Sequence, residues 1–308
     1  MKKILTILIL SVSGMLLAQQ EAMFTHYAFN TLAVNPAYAG SRDALTITGL
    51  HRSQWVGFDG APTTQTLTLH TPILNDKIGV GLSVLNDKIG PSNNTALYFD
   101  AAYRLPVSEQ GTLAFGLKAG INIVKQDLTS IETDQSGDAS FGEDLTSGIL
   151  PNFGGGLYYY TQKYYVGVST PKIMQNEFET GGTTSGTDVA TEQRHYFAIA
   201  GAVFDLSDKV KLKPTTFLKV TAGAPVELDL SGMFIFNDKY ELGGMFRTGD
   251  ALGVLLGYNI NELLRIGYSF DWSYNNTTFK YNNGSHEVMV RYDAIFSSNK
   301  KIRSPRYF

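Results

Sequence analysis

Cysteine is absent from this chain of 308 residues. An exported protein without thiols cannot form a disulfide framework, and it cannot bind a metal ion through thiolate ligands. A lipoprotein is excluded as well, because its lipid is carried on a cysteine. The absence therefore removes three classes of exported protein before any pattern in the sequence is considered.

Charge and long apolar runs are also scarce. Charged residues make up 17% of the chain, whereas soluble domains usually contain about 25%. Glycine is frequent, with 31 residues, and there are 17 tyrosines and 18 phenylalanines. This composition fits an all-β protein with one face in apolar surroundings. No run after residue 18 reaches the roughly 20 apolar residues of a transmembrane helix, so a membrane-spanning mature chain must be a closed β-barrel.

The first eighteen residues have the pattern of a secretory signal. Lys2 and Lys3 precede an apolar stretch from Ile4 to Leu17, and we expect cleavage after Ala18. The stretch of about 14 apolar residues is too short to cross a bilayer. Its removal would take two of the 25 basic residues and none of the 28 acidic ones. The mature chain is then clearly acidic, so we predict no nucleic-acid partner.

From residue 43 onward the sequence has the two-residue period of β-strands. In the segment 94–105, Asp100 and Ala102 fall on one face, and Leu97 and Phe99 fall on the other. Transmembrane β-barrels show this alternation because one face meets lipid and the other meets the lumen. We predict a barrel of fourteen antiparallel strands over residues 43–296, at 43–56, 62–71, 77–86, 94–105, 111–124, 149–160, 163–171, 193–205, 210–221, 225–236, 239–248, 251–259, 263–271 and 285–296.

The predicted hairpins alternate in length. The even-numbered ones are short and polar, as in Asn75-Asp76-Lys77 and Asn237-Asp238-Lys239. The odd-numbered ones include all the long loops, which are 87–93, 125–148, 172–192 and 272–284. Outer-membrane barrels have short periplasmic turns and longer outer loops. The parity therefore places both chain ends in the periplasm, where we expect an N-terminal arm or plug at 19–42 and a basic tail at 297–308.

One predicted outer loop has a composition that suits recognition. The loop 272–284 is aromatic, and such side chains are frequent in contacts with proteins and glycans. The partner-contact candidates are Trp272, Tyr274, Phe279 and Tyr281. A solvated loop without a function is an equally good interpretation.

Patterns for catalysis and metal binding are missing. The five histidines have neither the spacing of a metal site nor an HExxH arrangement, and no GxSxG nucleophile motif is present. We therefore predict no cofactor, no metal ion and no enzyme activity. A hydrolase on the barrel rim that uses His195 or His286 is the remaining enzyme hypothesis.

The most distinctive run is residues 35–62, NPAYAGSRDALTITGLHRSQWVGFDGAP. It contains a turn, a strand, a polar and aromatic cluster and a second turn. If its strand rises from the periplasm, the first turn lies at the periplasmic mouth of the barrel and Trp55 lies near the outer rim. Taken singly, Arg52 would pair with an acid in the lumen and Trp55 would join the outer aromatic girdle.

Taken together, these residues resemble the PorP/SprF family of type IX secretion system membrane proteins from the Bacteroidetes. The residues that carry the resemblance are Asn35, Pro36, Ala37, Tyr38, Ala39 and Gly40, then His51, Arg52, Ser53, Gln54 and Trp55, then Gly60, Ala61 and Pro62, and finally Ser285-His286-Glu287 and Ser304-Pro305-Arg306-Tyr307-Phe308. The resemblance implies an outer-membrane barrel without enzyme activity that serves protein secretion, gliding motility and cell-surface anchoring.

The resemblance implies two kinds of partner besides outer-membrane lipid. One is a secreted adhesin with a C-terminal sorting domain, and the other is the set of periplasmic ring proteins of the secretion system. We favour the adhesin, because many paralogues of the anchoring kind are expected in one genome. The alternative function is a channel for small or hydrophobic solutes. A barrel of fourteen strands is wider than the small barrels that side chains fill, so the anchor requires a plug, which segment 19–42 or an inward-folded loop could supply.

Overall fold

A closed barrel of fourteen antiparallel strands forms the body of the protein. The computed structural model describes residues 22–74, 76–131, 143–180, 188–274 and 282–294. The strands are β1 (Leu45–Ser53), β2 (Thr63–Ile73), β3 (Ile78–Ile89), β4 (Ser92–Pro106), β5 (Thr112–Gln126), β6 (Leu145–Thr146), β7 (Leu150–Tyr160), β8 (Tyr164–Thr170), β9 (Glu177–Thr180), β10 (Asp188–Thr191), β11 (His195–Ala202), β12 (Phe204–Ser207), β13 (Val210–Thr221), β14 (Glu227–Phe236), β15 (Tyr240–Arg247), β16 (Ala251–Asn259), β17 (Leu264–Ser273) and β18 (Ser285–Ala294). Strand β12 continues β11, and β6, β9 and β10 belong to the connections.

The barrel closes between its first and last strands. Strand β1 pairs antiparallel with β18, from Leu45 opposite Ala294 to Ser53 opposite His286. Every other barrel strand pairs with its neighbours in the chain, and β11 joins β8 to β13 across the connection that contains β9 and β10. Closure leaves no edge unpaired in the described strands of the barrel wall, as lipid requires because it offers the backbone no hydrogen-bonding partner.

The two faces of the wall alternate as the sequence predicts. In β4, Asp100 points inward and is 0% exposed, while Phe99 beside it is 55% exposed. In β5, Leu117 is 72% exposed, while Lys118 beside it is buried. The outward residues form the lipid-facing surface, and the inward residues are buried because the lumen is filled. The prediction of a fourteen-stranded outer-membrane barrel is therefore confirmed.

The exposed leucine in the middle of β5 allows a test of the lipid-facing surface. We expect Leu117→Lys to lower the free energy of unfolding by about 2–4 kcal/mol, because a cation at the bilayer midplane loses its hydration. Urea titration of the refolded protein in lipid vesicles measures the change. Leu117→Ile is the matched control and should cost less than about 1.5 kcal/mol. Equal stability of the two variants would contradict the outward orientation of this residue.

The connections differ at the two ends of the barrel. The short turns join β2 to β3, β4 to β5, β7 to β8, β12 to β13, β14 to β15 and β16 to β17, and they share one end with the start of β1 and the end of β18. We call this end the turn end and the opposite end the loop end. In outer-membrane barrels the short turns face the periplasm, so we expect the loop end to face outward.

One loop prediction was wrong. The segment 87–93 is not a long loop, because β3 continues to Ile89 and β4 starts at Ser92. Polar side chains continue the pairing there, and Asn86 Nδ2 donates to Asn93 Oδ1 at 2.7 Å. The segment 172–192 is a long connection as predicted, and it contains a two-stranded hairpin of β9 and β10. Its short strands have too few residues for a two-residue period to be recognised in the sequence.

Residues 22–44 lie inside the barrel. They include a one-turn helix, α1 (Thr31–Val34), and a 3₁₀ turn at Pro36–Tyr38. Phe24, Tyr27, Leu32 and Tyr38 are buried among inward-facing side chains of the wall. No helix within the described ranges is both long and apolar enough to cross a membrane.

Candidate functional site

The segment of residues 22–44, which we call the lumen segment, runs along the barrel from one end to the other. Thr25 contacts Glu287 and Asp271, which lie near the loop end of β18 and β17. Asp43 accepts a hydrogen bond from Arg104, which lies near the turn end of β4. The chain therefore descends through the lumen before it enters β1.

The turn within the lumen segment follows from its sequence. Asn35 caps the 3₁₀ turn, since its Oδ1 accepts a hydrogen bond from the N–H of Ala37 at 3.0 Å. Pro36 occupies the first position of the turn, where its missing N–H costs nothing. Gly40 has a φ of 74°, in the left-handed region that glycine adopts without strain. The motif NPAYAG thus specifies a compact turn inside the barrel towards its turn end, where Gly40 approaches Pro72 and Gly79 at the ends of β2 and β3.

Four inward-facing glycines of the wall lie directly against this turn. We call Gly79 of β3, Gly116 of β5, Gly156 of β7 and Gly167 of β8 the glycine patch. A side chain at Gly79 would collide with the carbonyl of Ala39, and one at Gly116 would collide with the backbone of Ala37. Side chains at the other two positions would collide with the amide of Asn35. The NPAYAG turn therefore packs on bare backbone of four strands.

Hydrogen bonds fix the turn on the patch. Asn35 Nδ2 donates to the carbonyl of Leu157 at 3.0 Å, and the N–H of Gly40 donates to His70 Nδ1 at 3.1 Å. Ser169 Oγ donates to the carbonyl of Val34 at 2.8 Å. The wall thereby satisfies polar groups of the segment that would be costly to bury alone.

An ionic cluster holds the segment at the loop end. Glu287 accepts hydrogen bonds from the backbone N–H groups of Thr25 and His26, each at 2.8 Å, and from the ring of His26 at 2.6 Å. Arg52 Nη1 donates to Asp271 at 2.6 Å and to Thr25 Oγ1 at 2.9 Å. We call these five residues the Arg52 cluster. It joins β1, β17 and β18 to the lumen segment.

A second set of charges holds the segment at the turn end. Arg42 Nε and Nη2 donate to the two oxygens of Asp293 at 3.1 and 2.8 Å, in the bidentate geometry that guanidinium and carboxylate favour. Asp293 also accepts from Thr46 Oγ1 at 2.6 Å, so the closing strands are tied to each other and to the segment.

Aromatic contacts fill the middle of the lumen. The ring of Tyr27 stacks on Phe217 of β13 with centroids 3.8 Å apart. The ring of Phe29 lies under the guanidinium of Arg265, 3.8 Å from its carbon, and under Lys213 Nζ at 4.1 Å. Cation–π contacts of this kind stabilise cations that are removed from water.

The other end of the distinctive sequence run forms the first loop at the loop end. The N–H of Gln54 donates to the carbonyl of Pro62 at 2.9 Å, and the N–H of Gly90 donates to the carbonyl of Gly60 at 2.9 Å. Trp55 has a φ of 48° and is partly buried in this loop. Ala61 lies between these contacts and donates its N–H to Phe58. The structure thus places NPAYAG and the residues Gln54 to Pro62 towards opposite ends of the barrel.

The aromatic partner-contact loop is only partly described. Trp272 does not belong to a loop, because β17 continues to Ser273 and its indole is exposed on the outward face, where barrels carry an aromatic girdle. Tyr274 is exposed beyond the strand, and its ring stacks on Phe246 at 6.1 Å. Phe279 and Tyr281 lie outside the described residues, as do the basic tail and the expected cleavage site.

The metal-ligating residues and the two histidines of the hydrolase hypothesis can be located in the described part of the chain. Within the described residues, no group of three metal-ligating side chains is close enough to hold an ion. His195 Nδ1 contacts the carbonyl of Gln193 at 2.9 Å, and His286 Nδ1 contacts the hydroxyl of Tyr268 at 2.7 Å. The hydrolase hypothesis therefore gains no support from these two histidines.

Sequence reasoning predicted an acid for Arg52 in the lumen but did not identify it as Asp271 or Glu287, and it missed the glycine patch. A signal for the acids was present, because Glu287, Arg291 and Asp293 recur on one face of β18, and charges on one face of a barrel strand indicate the lumen. The glycines of the patch come from four strands that are far apart in the sequence. No local pattern distinguishes them from the other glycines of the wall.

Solved structures with a similar fold are outer-membrane channels and transporters. The CymD monoaromatic hydrocarbon channel has a TM-score of 0.53 at 12% sequence identity, covering 88% of this chain and 94% of its own. The Ralstonia pickettii toluene transporter TbuX has a TM-score of 0.49 at 10% identity, with coverage of 87% and 93%. A Pseudomonas aeruginosa FadL homologue has a TM-score of 0.48 at 13% identity, with the same coverage. At such low identity the likeness concerns the fold alone.

Sequence comparison gives a more specific result. No curated protein matches the chain significantly. The family described as type IX secretion system membrane protein PorP/SprF matches residues 16–292.

Proposed function

Since the chain belongs to the PorP/SprF family of type IX secretion system membrane proteins, we propose that it is a plugged barrel that anchors a secreted adhesin at the cell surface. The family is one of secretion-system membrane components and not of enzymes, and its fold places the protein in the outer membrane. Beyond the family and the location, we propose that the lumen is closed to solutes and that the adhesin binds at the loop end.

The observation that carries the proposal is the filled lumen. The lumen segment contacts the wall near both ends of the barrel, through the Arg52 cluster and through the pair of Arg42 and Asp293. Between these contacts the NPAYAG turn lies directly on the glycine patch. A solute channel needs a continuous path, whereas an anchor benefits from a rigid and closed body. The geometry therefore supports the anchor over the channel.

The loop end offers the surface for such a partner. The connection between β8 and β11 carries the hairpin of β9 and β10, in which Phe178 packs against Val124 and Leu150 of the wall. This packing gives the loop a fixed position beside the lumen. Preorganised loops bind partners with a smaller entropy cost than loops that must order on binding. We propose that the sorting domain of the adhesin contacts this hairpin and the exposed Tyr274.

Deletion of the gene in its native host tests the anchor function. We expect one secreted adhesin to be retained in the cell or released into the medium, and expression of the wild-type protein should restore its display. Surface labelling followed by mass spectrometry measures the change. Unaltered display of every surface protein in the deletion strain would refute the proposal.

Co-purification distinguishes the anchor from its alternatives. The barrel extracted from native outer membranes should retain an adhesin through the loop end. Recovery of periplasmic ring proteins instead would indicate a link to the secretion ring. Recovery of neither, together with conductance of the purified barrel in planar bilayers, would favour the channel for small or hydrophobic solutes.

A further inference from the structure

A cavity of about 320 Å³ opens at the turn end, next to the seam between β1 and β18. Its floor is formed by the lumen segment and by inward-facing residues of β17 and β18, and its rim is formed by two short turns. Four basic residues line it, Arg42, Lys239, Arg265 and Arg291, together with the acids Asp238 and Glu262 of the short turns and Asp293 of the floor. The proposed function assigns no role to this cavity.

Positive charge is in excess at the floor of the cavity. Arg265 and Arg291 line it, and both guanidinium groups lie over the ring of Phe29, at 3.8 and 5.8 Å from its centroid. Arg265 pairs with Glu241 through its Nη2. The remaining carboxylate on the floor is Asp293, whose oxygens already accept bonds from Arg42 and Thr46.

Nε and Nη1 of Arg291 donate no hydrogen bond to the described residues that line the cavity. Arg291 is 3% exposed, and its Nε lies 3.8 Å from Oδ2 of Asp293, which is too far for a hydrogen bond. Neither Nε nor Nη1 of Arg291 has a hydrogen-bond partner among the described residues, and the same holds for Nε of Arg265. A buried guanidinium is stable only when its donors are paired, because desolvation of the charge is costly.

We infer that the cavity is a binding site for an oxyanion of the carboxylate or phosphate type. The planar donor fork of arginine matches both groups. Nε and Nη1 of Arg291 are buried just behind the cavity lining, so a rotation of this side chain towards the cavity would pair them with a bound anion. Because the turn end faces the periplasm, the anion enters from the periplasmic side. The inference goes beyond the anchor proposal, whose partner binds at the opposite end of the barrel, although the Arg42–Asp293 pair that holds the lumen segment also lines this cavity.

Thermal unfolding of the full-length mature protein in detergent tests the site. Sodium phosphate and sodium acetate are the probes, and sodium chloride at the same ionic strength is the reference. At a probe concentration about a hundredfold above the dissociation constant, we expect the midpoint to rise by about 5 °C over chloride. A rise in phosphate alone identifies a phosphate site, and a rise in acetate alone identifies a carboxylate site. Equal midpoints in all three salts would overturn the inference.

Variants assign the effect to the cavity. Arg291→Gln should abolish the rise, while Lys163→Gln should keep it in full. Lys163 is the charge-matched control, because its side chain is 70% exposed and pairs with Asp205 outside the cavity. Heat-modifiable migration in gel electrophoresis verifies that each variant is folded. If Arg291→Gln does not fold, Arg291→Lys keeps the charge but loses the fork, and it should reduce the rise. An undiminished rise in the folded Arg291 variant would refute the site.

Discussion

Gly116→Val is expected to turn a closed barrel into a conducting one. The new side chain would occupy the space of the Ala37 backbone, and neither the turn nor the strand can relieve this overlap by a rotamer change. Overpacking of this kind costs about 3 kcal/mol, which corresponds to roughly a hundredfold increase in the population with the lumen segment displaced. Single-channel recording in planar bilayers measures the result as conductance steps that are rare in the wild-type protein.

Gly49→Val is the matched control for this experiment. Gly49 lies on the outward side of β1, and a side chain there would have no neighbour within 4 Å. The control should remain as closed as the wild-type protein while carrying the same substitution. If Gly116→Val is equally silent and correctly folded, the lumen segment does not close the barrel. Frequent conductance steps in the wild-type protein would lead to the same conclusion.

Arg52→Met should lower the free energy of unfolding by about 3–5 kcal/mol, the usual cost of removing one partner from a buried ion pair. The substitution keeps the aliphatic stem but leaves the carboxylate of Asp271 without its cation, and Glu287 loses a charge at 3.5 Å. Titration with guanidinium chloride measures the loss. Fluorescence is a suitable signal, because the 2 tryptophans of the chain are Trp55 and Trp272.

An exposed ion pair provides the comparison for the Arg52 cluster. Lys163→Met removes the cation of the pair with Asp205, in which both side chains are largely exposed, and such pairs contribute less than about 1 kcal/mol. The double variant Arg52→Met with Asp271→Asn should recover part of the loss, since it removes the unpaired carboxylate. Similar losses for Arg52→Met and Lys163→Met would show that the cluster does not stabilise the lumen segment.

Local sequence patterns were sufficient to predict the strands of the barrel wall, but they did not predict the contacts of the lumen segment. The period of two in β4 predicts both the strand and its faces, because successive side chains of a strand point to opposite sides. Trp272 was predicted to lie in a loop, but it belongs to β17. At the end of a strand, the local sequence does not distinguish an aromatic residue of the girdle from one of the adjoining loop. The boundary between them depends on pairing with Leu252 of β16.

Contacts in the lumen depend on residues that are distant in the chain. Arg52 and Asp271 are separated by 219 positions. The sequence contains several other acidic residues that could equally be the partner of Arg52. The depth of the NPAYAG turn depends on the glycine patch, to which four strands each contribute one residue. Such a surface exists only after the register of every strand between β3 and β8 is set. The sequence could therefore predict a turn at Asn35 but not where the turn binds.

The ionic ties at the seam bear on the order of assembly. Asp293 bonds to Arg42 and to Thr46, which are 251 and 247 positions away, so the last strand meets the first strand and the lumen segment at the same place. A barrel that closed without the segment would leave the Asp293 carboxylate without the Arg42 cation, so insertion of the segment and closure of the seam stabilise each other. We expect the two events to be coupled during assembly.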